Sequence, residues 1–460
     1  MKDEIKNNKR KYLFTSVFIL LSFFFSIILV ELILRFTPYD NLRITDYSDP
    51  FSVALRYYFE ADEELGYDIS KNKTGFFYTV EGIRFPVWSN ELGCFDKPYQ
   101  GEKEPIVLVG DSFTWGFVPF EKTIGSTIED TIQKRVIKCG VGGYGTKKEM
   151  IKAKRVIQKI QAKPSLIIVG YLMRNDLTDD WLFPGVTVID GFLVGKIKLK
   201  NLETGEKEII SDEEIIREVK KATIEVEEHK RKYESIISKI KAWLTKNSII
   251  YNIIRNNEFL RKIAASLNLV EKKSDKAAPE ERENIEQNKN QDANLNLLHL
   301  LPFIQQHKYE WLNQAWNQHI QNIIEFNDYA KQIGSKLLVV MIPSKEQVYK
   351  QLRPKIDHID FYLPNRILAD VFRKHNILYI DLTQDFEKYS AAQKSLSLGA
   401  KKGLYYKNNG HWNQNGSYIA GLLVSKYIIE NNPINVENRE SVLQNIEKEL
   451  IRMQKVLESE

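Results

Sequence analysis

From Tyr12 to Val30 the chain runs nineteen residues without a charged side chain, and at 1.5 Å per residue a helix of that length matches the core of a bilayer. Beyond it the pattern changes to short apolar runs. These are Ile106 to Val109, Val136 to Cys139, Leu166 to Val169, Leu337 to Ile342 and Ile377 to Leu382, with stretches of helical period between them. That alternation predicts an α/β domain built on a parallel sheet with crossover helices.

More than a hundred residues separate the third run from the fourth. Val186 to Ile189, Asp190-Gly191 and Phe192 to Leu199 predict a hairpin, because an Asp-Gly pair accepts the positive φ of a tight turn. Ser211-Asp212-Glu213-Glu214 has a capping-box pattern and opens a charged helix predicted to reach about Leu244. Glu271 to Asn296 is almost wholly polar and reads as a mobile loop. Helix resumes near Trp311, and Glu437 to Glu460 reads as a solvated amphipathic tail; no internal repeat is evident. The segments are therefore a leader (1–11), an anchor (12–36), a first part of the α/β domain (37–185), a mostly helical insertion (186–308), a second part (309–432) and a helical tail (433–460).

Charge orients the anchor. The chain of 460 residues carries a formal net charge of +5. Residues 1 to 11 hold Lys2, Lys6, Lys9, Arg10 and Lys11 against Asp3 and Glu4, a net of +3, which leaves +2 for everything else. A basic leader stays cytoplasmic, so the remainder is expected outside. The residues after the apolar run, Glu31-Leu32-Ile33-Leu34-Arg35-Phe36, are bulky and offer no small-x-small cleavage site, which favours an uncleaved single-pass anchor over a removed signal. A nearly neutral remainder excludes a nucleic-acid partner. Cys94 and Cys139 are the only cysteines; Cys139 ends a predicted core strand and reads as a small buried hydrophobe in preference to a disulfide partner. With no His or carboxylate cluster at ligand spacing, neither a metal nor a cofactor is expected.

Candidate chemistry gathers behind the strands. Gly110-Asp111-Ser112-Phe113-Thr114-Trp115-Gly116 follows the first run and delivers Ser112 onto a tight turn, where an α/β enzyme holds a nucleophile. Lys138-Cys139-Gly140-Val141-Gly142-Gly143-Tyr144-Gly145 follows the second, and Gly170-Tyr171-Leu172-Met173-Arg174-Asn175-Asp176 the third. Gly143 and Asn175 are the candidate oxyanion donors there, with the Ser112 N–H as a further one. His411, in Asn408-Asn409-Gly410-His411-Trp412-Asn413 ahead of a C-terminal helix, is the candidate base. Open α/β sheets bind ligands at the carboxyl ends of their strands, so Ser112, Gly143 and Asn175 are expected at one site. Asp111 is expected to brace the serine turn. Trp115, Tyr144 and Trp412 border the site and are candidate stacking surfaces for substrate, with plain packing as the alternative. His229, His299, His307, His319, His358 and His375 read as solvated or packing residues.

In this order the four segments resemble the SGNH (GDSL-like) hydrolase superfamily, in particular its membrane-anchored bacterial members. Ser112 matches the block I serine, Gly143 the block II glycine, Asn175 the block III asparagine and His411 the block V histidine; Asn90-Glu91-Leu92-Gly93 looks like the lead-in of the anchored members. The resemblance covers about 88–185 and 309–430 and implies a flavodoxin-like three-layer α/β/α fold. The chain departs from it at the acid: where the family has an aspartate two or three residues before the histidine, this sequence has Asn409 and Asn408. Neither carries charge, although an amide oxygen still accepts a hydrogen bond from the ring. The resemblance implies a membrane-anchored serine esterase acting on an O-acyl ester of a cell-surface glycan, with an acylated carbohydrate or lipid-linked glycan as substrate. The same residues would serve an O-acyltransferase. The alternative from another class is a catalytically silent glycan-binding or scaffold protein whose insertion recruits envelope assembly partners.

Overall fold

The structure, a computed structural model, describes residues 2–36, 57–78, 84–234, 240, 243–244, 248–256, 298–391, 398–399, 403–407 and 409–459. Helix α1 (Lys2–Leu34) comes first, followed by two antiparallel hairpins, β1 (Phe59–Asp62) with β2 (Gly66–Ile69) and β3 (Thr74–Tyr78) with β4 (Arg84–Trp88). The alternating part then begins with β5 (Ile106–Gly110), α2 (Ser112–Trp115), α3 (Ile124–Ile132), β6 (Val136–Gly140), α4 (Thr146–Ile160), β7 (Leu166–Leu172) and α5 (Asp176–Trp181). Next come β8 (Val186–Ile189), β9 (Phe192–Gly195), β10 (Ile197–Leu199), β11 (Lys207–Ile209), α6 (Asp212–Glu234) and α7 (Ile249–Asn256). The chain closes with α8 (Trp311–Gln332), β12 (Leu337–Ile342), α9 (Lys345–Val348), α10 (Leu363–His375), β13 (Leu378–Asp381), α11 (Thr383–Ala391), α12 (Gln414–Asn431) and α13 (Arg439–Glu458).

Two units are present, Met1–Phe51 with Thr223–Glu286, and Ser52–Ala222 with Gln287–Glu460. In the first, Phe14–Leu34 of α1 is long and apolar enough to cross a membrane. Phe14, Phe18, Leu21, Phe23, Phe25, Leu29 and Leu32 are exposed, a pattern apolar around the helix that fits lipid better than water.

The second unit is organised by a five-stranded sheet ordered β13-β12-β7-β5-β6, parallel throughout. In chain order this is 2-1-3-4-5, the flavodoxin-like doubly wound arrangement. All five predicted runs are strands. Because side chains alternate across a strand, Val107, Val109, Ile167, Val169, Val339 and Met341 enter a core with α4, α8 and α10. Ile106, Leu108, Ile168, Val340 and Ile342 enter the opposite core with α3, α12 and α13. The sheet thus carries a helical layer on each face.

Several expectations need revision or comment. The tail is a helix, but Ile446, Leu450, Met453 and Leu457 of α13 are buried in the second core, so an i, i+4, i+7, i+11 stripe that reads as amphipathic and solvated is a packed face. Cys94 and Cys139 form a disulfide with their Cα atoms 4.5 Å apart, contrary to the reading of Cys139 as a lone hydrophobe. Burial and pairing are compatible; sequence alone could not reveal the loop that brings Cys94 to the end of β6. That loop is the Asn90-Glu91-Leu92-Gly93 turn, where Asn90 Oδ1 accepts from the backbone N–H of Leu92 and Cys94 at 3.0 and 3.1 Å. The β8–β9 hairpin turns through Asp190 and Gly191 with φ of +50° and +81°, as the Asp-Gly pair predicts, and Ser211 Oγ accepts from the Glu214 N–H at the start of α6. The expected mobile loop at 271–296 lies outside the described residues.

Candidate active site

Three glycines make the floor of the site. Gly110, Gly140 and Gly170 stand in register across β6, β5 and β7, and the single turn α2 rests directly on them. A Cβ at Gly110 or Gly170 would lie 2.1 Å from Thr114 Oγ1, and one at Gly140 would lie 2.3 Å from Trp115 N. Any side chain in that row would lift the serine off the sheet. Asp111 caps α2 through Oδ1, which accepts from the Phe113 N–H at 2.8 Å, so it braces the turn as expected. Ser112 is left half-buried at the mouth.

His411 comes from the other half of the domain, two residues ahead of Asn413, which caps α12 by accepting from the N–H groups of Asn415 and Gly416. Across 299 residues of sequence, Ser112 Oγ–H donates to His411 Nε2 at 2.7 Å. Nδ1–H donates to Asn409 Oδ1, which also accepts from the His411 backbone N–H at 3.0 Å. That bond fixes the tautomer in which Nε2 is a free acceptor. Phe117 stacks on the ring with centroids 3.8 Å apart, and Phe113 covers the opposite side at 4.9 Å. Burial, reinforced by the positive Arg174, pushes the His411 pKa down to about 3, so the imidazole is neutral at ordinary pH.

The histidine loop is held from beneath by a residue with no sequence signal. Lys345 Nζ donates to the carbonyls of Tyr406, Lys407 and Asn409 at 2.6, 2.8 and 3.3 Å. Lys345 begins α9, whose cap Ser344 has the full reciprocal capping box with Gln347. The carboxyl end of β12 therefore positions the base while the carboxyl end of β5 positions the nucleophile. Asn408 lies outside the described residues.

Gly142 lies against Ser112, where an added Cβ would meet the serine Cβ at 3.6 Å; Gly143 follows it with φ of +76°, and a Cβ there would lie 2.7 Å from the Tyr67 hydroxyl. That hydroxyl donates to Gly142 O at 2.5 Å, and the Tyr144 hydroxyl donates to Tyr67 O at 2.6 Å. The hairpin β1–β2, invisible in the sequence pattern, thus shapes the glycine turn. Among the described residues neither the Ser112 N–H nor the Gly143 N–H enters a hydrogen bond, and both remain available to an oxyanion. The Asn175 amide donates to Asp179 Oδ2 at 2.8 Å and lies within reach of Asp111. Its side chain is turned toward the buried carboxyls, its amide bonding Asp111 as well as Asp179, so its hydrogens are engaged there.

The stacking candidates do not reach substrate. Trp115, Tyr144 and Trp412 are 5, 0 and 3% exposed. Trp115 packs edge-on among Tyr58, Phe77, Phe95 and Phe117, Tyr144 packs against Tyr67, and Trp412 stacks on Phe386. Packing, the alternative reading, describes all three.

Behind the serine lies a group of carboxyls that spacing alone did not reveal. Asp111, Glu149, Asp176 and Asp180 are at most 2% exposed, and Asp179 among them is half-buried. Burial pushes Asp111 up to about 7 and Asp179 to about 8, and raises Glu149 and Asp176 well above the ordinary carboxyl range, their mutual repulsion adding to it. Asp180 is spoken for: it accepts from Asn322 Nδ2 at 2.8 Å and from His319 Nδ1 at 2.7 Å, and the other nitrogen of His319 bonds the Tyr171 hydroxyl at 2.9 Å. His319 is a packing histidine, as read. Among the described residues no group of three or more His, Cys, Asp or Glu is arranged to hold a metal ion.

No family model and no curated protein matches the chain. Among solved structures, a crystal structure of a "putative acylhydrolase" from Bacteroides fragilis NCTC 9343 aligns over 77% of this chain and 91% of that one, with 11% identity and a TM-score of 0.29. That likeness is too slight to bear on the chemistry.

Proposed function

We propose that the chain is a membrane-anchored serine acyl hydrolase of the SGNH type. The observation that carries this reading is the 2.7 Å bond from Ser112 Oγ to His411 Nε2, made at the carboxyl end of a parallel sheet by a ring whose other nitrogen is already engaged. His411 removes the Ser112 proton as Oγ attacks an ester carbonyl. The oxyanion is received by the N–H groups of Ser112 and Gly143, and the Asn175 amide joins them on leaving the carboxyls it now bonds. His411 then gives the proton to the leaving alcohol, and an acyl-enzyme on Ser112 remains. Water, deprotonated by His411, releases the acid; a carbohydrate hydroxyl in its place makes the same residues an O-acyltransferase. The uncleaved anchor and its basic leader support an N-terminus in the cytoplasm and a domain outside. That position favours an O-acyl ester of a cell-surface or lipid-linked glycan as substrate.

The test is hydrolysis of p-nitrophenyl acetate by the full chain in detergent, with fluorophosphonate labelling in parallel and a xylan or chito-oligosaccharide as acceptor. Ser112→Ala and His411→Ala are expected to lower turnover by about 10³-fold or more, with labelling lost in Ser112→Ala. Acetylation of the added sugar would make the enzyme a transferase. A folded chain that neither labels nor turns over would instead be a binding or scaffold protein.

A further inference from the structure

Glu31 is the first charged residue after the apolar run of α1. In a helix that crosses a bilayer it falls at the boundary of the hydrocarbon layer. Its carboxylate is engaged by a segment more than two hundred residues away. Ser248 Oγ–H donates to Oε2 at 2.9 Å, Ile249 N–H to Oε1 at 2.7 Å and Ile250 N–H to Oε2 at 3.1 Å. Ser248 Oγ also accepts from the Tyr251 N–H at 3.1 Å. The start of α7 is thus capped twice, by its own serine and by an anion delivered from the anchor, which is where helix N–H groups and dipole favour negative charge. Within α1, Glu31 and Leu34 are the partly covered positions of the last turns, three residues apart and so on one face.

This contact sets the depth of α7. Its sequence, Ile249-Ile250-Tyr251-Asn252-Ile253-Ile254-Arg255-Asn256, pairs isoleucines at i, i+1, i+4 and i+5, a two-sided pattern suited to lying along an interface and too short to span it. Ile249 is buried. Just upstream, Ile240 is 54% exposed and Trp243 62%, and the sequence around them carries Lys239, Lys241 and Lys246. The Ser248 N–H donates to Leu244 O at 2.8 Å, which carries the neighbouring Trp243 along with the clasped start of α7. Aromatic and aliphatic side chains in a lysine-bearing sequence beside the end of a membrane helix are suited to headgroups on one side and acyl chains on the other.

We propose that α7, with Ile240 and Trp243 ahead of it, is a second membrane contact on the face of the bilayer at which α1 ends, clasped to α1 by Glu31, with Ile240 and Trp243 entering the headgroup region. The insertion then does more than extend the domain: its middle part is held at the membrane surface where α1 ends. The inference rests on reading α1 as a spanning helix.

The pairing of Cys94 with Cys139 leaves no native free thiol, so an introduced cysteine is the sole labelling site. The full chain carrying a nitroxide at Ile240→Cys or Trp243→Cys is reconstituted in phosphatidylethanolamine/phosphatidylglycerol vesicles. Its spin relaxation by oxygen is compared with that by a water-soluble nickel chelate. Leu21→Cys in α1 and Glu447→Cys on α13 serve as lipid and water references. Labels at 240 and 243 are expected to relax several-fold more with oxygen relative to nickel than the label at 447, and Glu31→Ala is expected to bring them toward it while leaving 21 unchanged. Labels at 240 and 243 as nickel-accessible as 447, with 21 protected, would overturn the proposal and leave the anchor standing. Nickel access at 21 would overturn both. Protection from both reagents at 240 and 243 would mean a protein partner in place of lipid and would also overturn it.

Discussion

Ser112 stands between two opposite neighbourhoods. On the histidine side there are two phenyl rings, a neutral amide and the Arg174 guanidinium, itself paired to Glu346 at 3.0 Å, and among the described residues no carboxylate bonds the ring. On the other side, Asp111 begins a group of buried carboxyls. The acid that would stabilise an imidazolium is missing where it would help, while carboxyls are plentiful where burial disfavours their charge. Counting acidic residues near a motif therefore says little about the charge of a site; the side on which each falls, and how dry it is, decides. A base held near pKa 3 and flanked by an amide is correctly oriented and weakly basic, which predicts a slow acylation step in the native chain.

The largest expected effect comes from moving an acid across that divide. Asn409→Asp places a carboxylate on Nδ1–H, raises the His411 pKa and stabilises the imidazolium formed as Ser112 attacks. Turnover of p-nitrophenyl acetate at pH 7.5 should rise at least about tenfold, with ~10⁴ as the ceiling set by the reverse change in serine proteases. The acid limb of the rate profile should move upward in pH at the same time. Asn409→Ala should lower turnover, because the ring loses its tautomer lock. A gain with no movement of the acid limb would contradict the electrostatic account.

The carboxyl side is read through stability. Asp111 and Asp179 have folded pKa values, about 7 and about 8, above their unfolded ones. Each contributes stability that is complete below the unfolded pKa and is lost as pH rises through the folded value. The depressed His411 acts with the opposite sign, but below its unfolded pKa of about 6.5. Lys148, pushed down to about 8 by burial, also opposes, but above pH 8. Between pH 6.5 and 8 the carboxyls act alone. Tm should fall across that window by roughly 5 °C, each bound proton being worth about 1.4 kcal/mol per pH unit. A Tm that rises over the window would refute the buried, protonated group.

A smaller change sharpens the same contrast. Glu149 has both carboxyl oxygens buried without a partner, and burial raises its pKa. Glu149→Gln keeps the shape and removes the titration. The loss of stability from pH 6.5 to 8 should shrink, measured by urea unfolding at both pH values. An unchanged slope would mean that Glu149 is ionised in the folded chain.

What the sequence disclosed follows from range. Strands of four to six apolar residues, their crossover helices and the order of the serine, glycine, asparagine and histidine segments are local patterns, and all appear at the carboxyl ends where the α/β rule puts them. The row Gly110, Gly140, Gly170 was present in the quoted segments, yet its meaning needs strand register. Tyr67 beneath the glycine turn, the pairing of Cys94 with Cys139 and the gathering of Asp111, Glu149, Asp176 and Asp179 depend on contacts between elements that nothing local connects. The aromatic candidates were adjacent to the right motifs and faced inward, because a residue next to a strand-end turn packs on the sheet as readily as it faces the cleft.

Lys345 gives the finest probe of the histidine side. Its three bonds to the carbonyls of Tyr406, Lys407 and Asn409 hold the loop that carries both Asn409 and His411. Because it touches neither reacting atom, its influence must pass through the position of the ring. Lys345→Met should lower kcat about tenfold with KM nearly unchanged, since a displaced base weakens only the transition state. Lys345→Arg, which keeps a charge and several donors, should recover part of the loss. If the loop were held by Asn409 and the aromatic stack alone, Lys345→Met would reduce Tm and leave kcat per folded molecule intact. A loss that vanishes in the Asn409→Asp background would show that a charged acid orients the ring without help from the lysine beneath it.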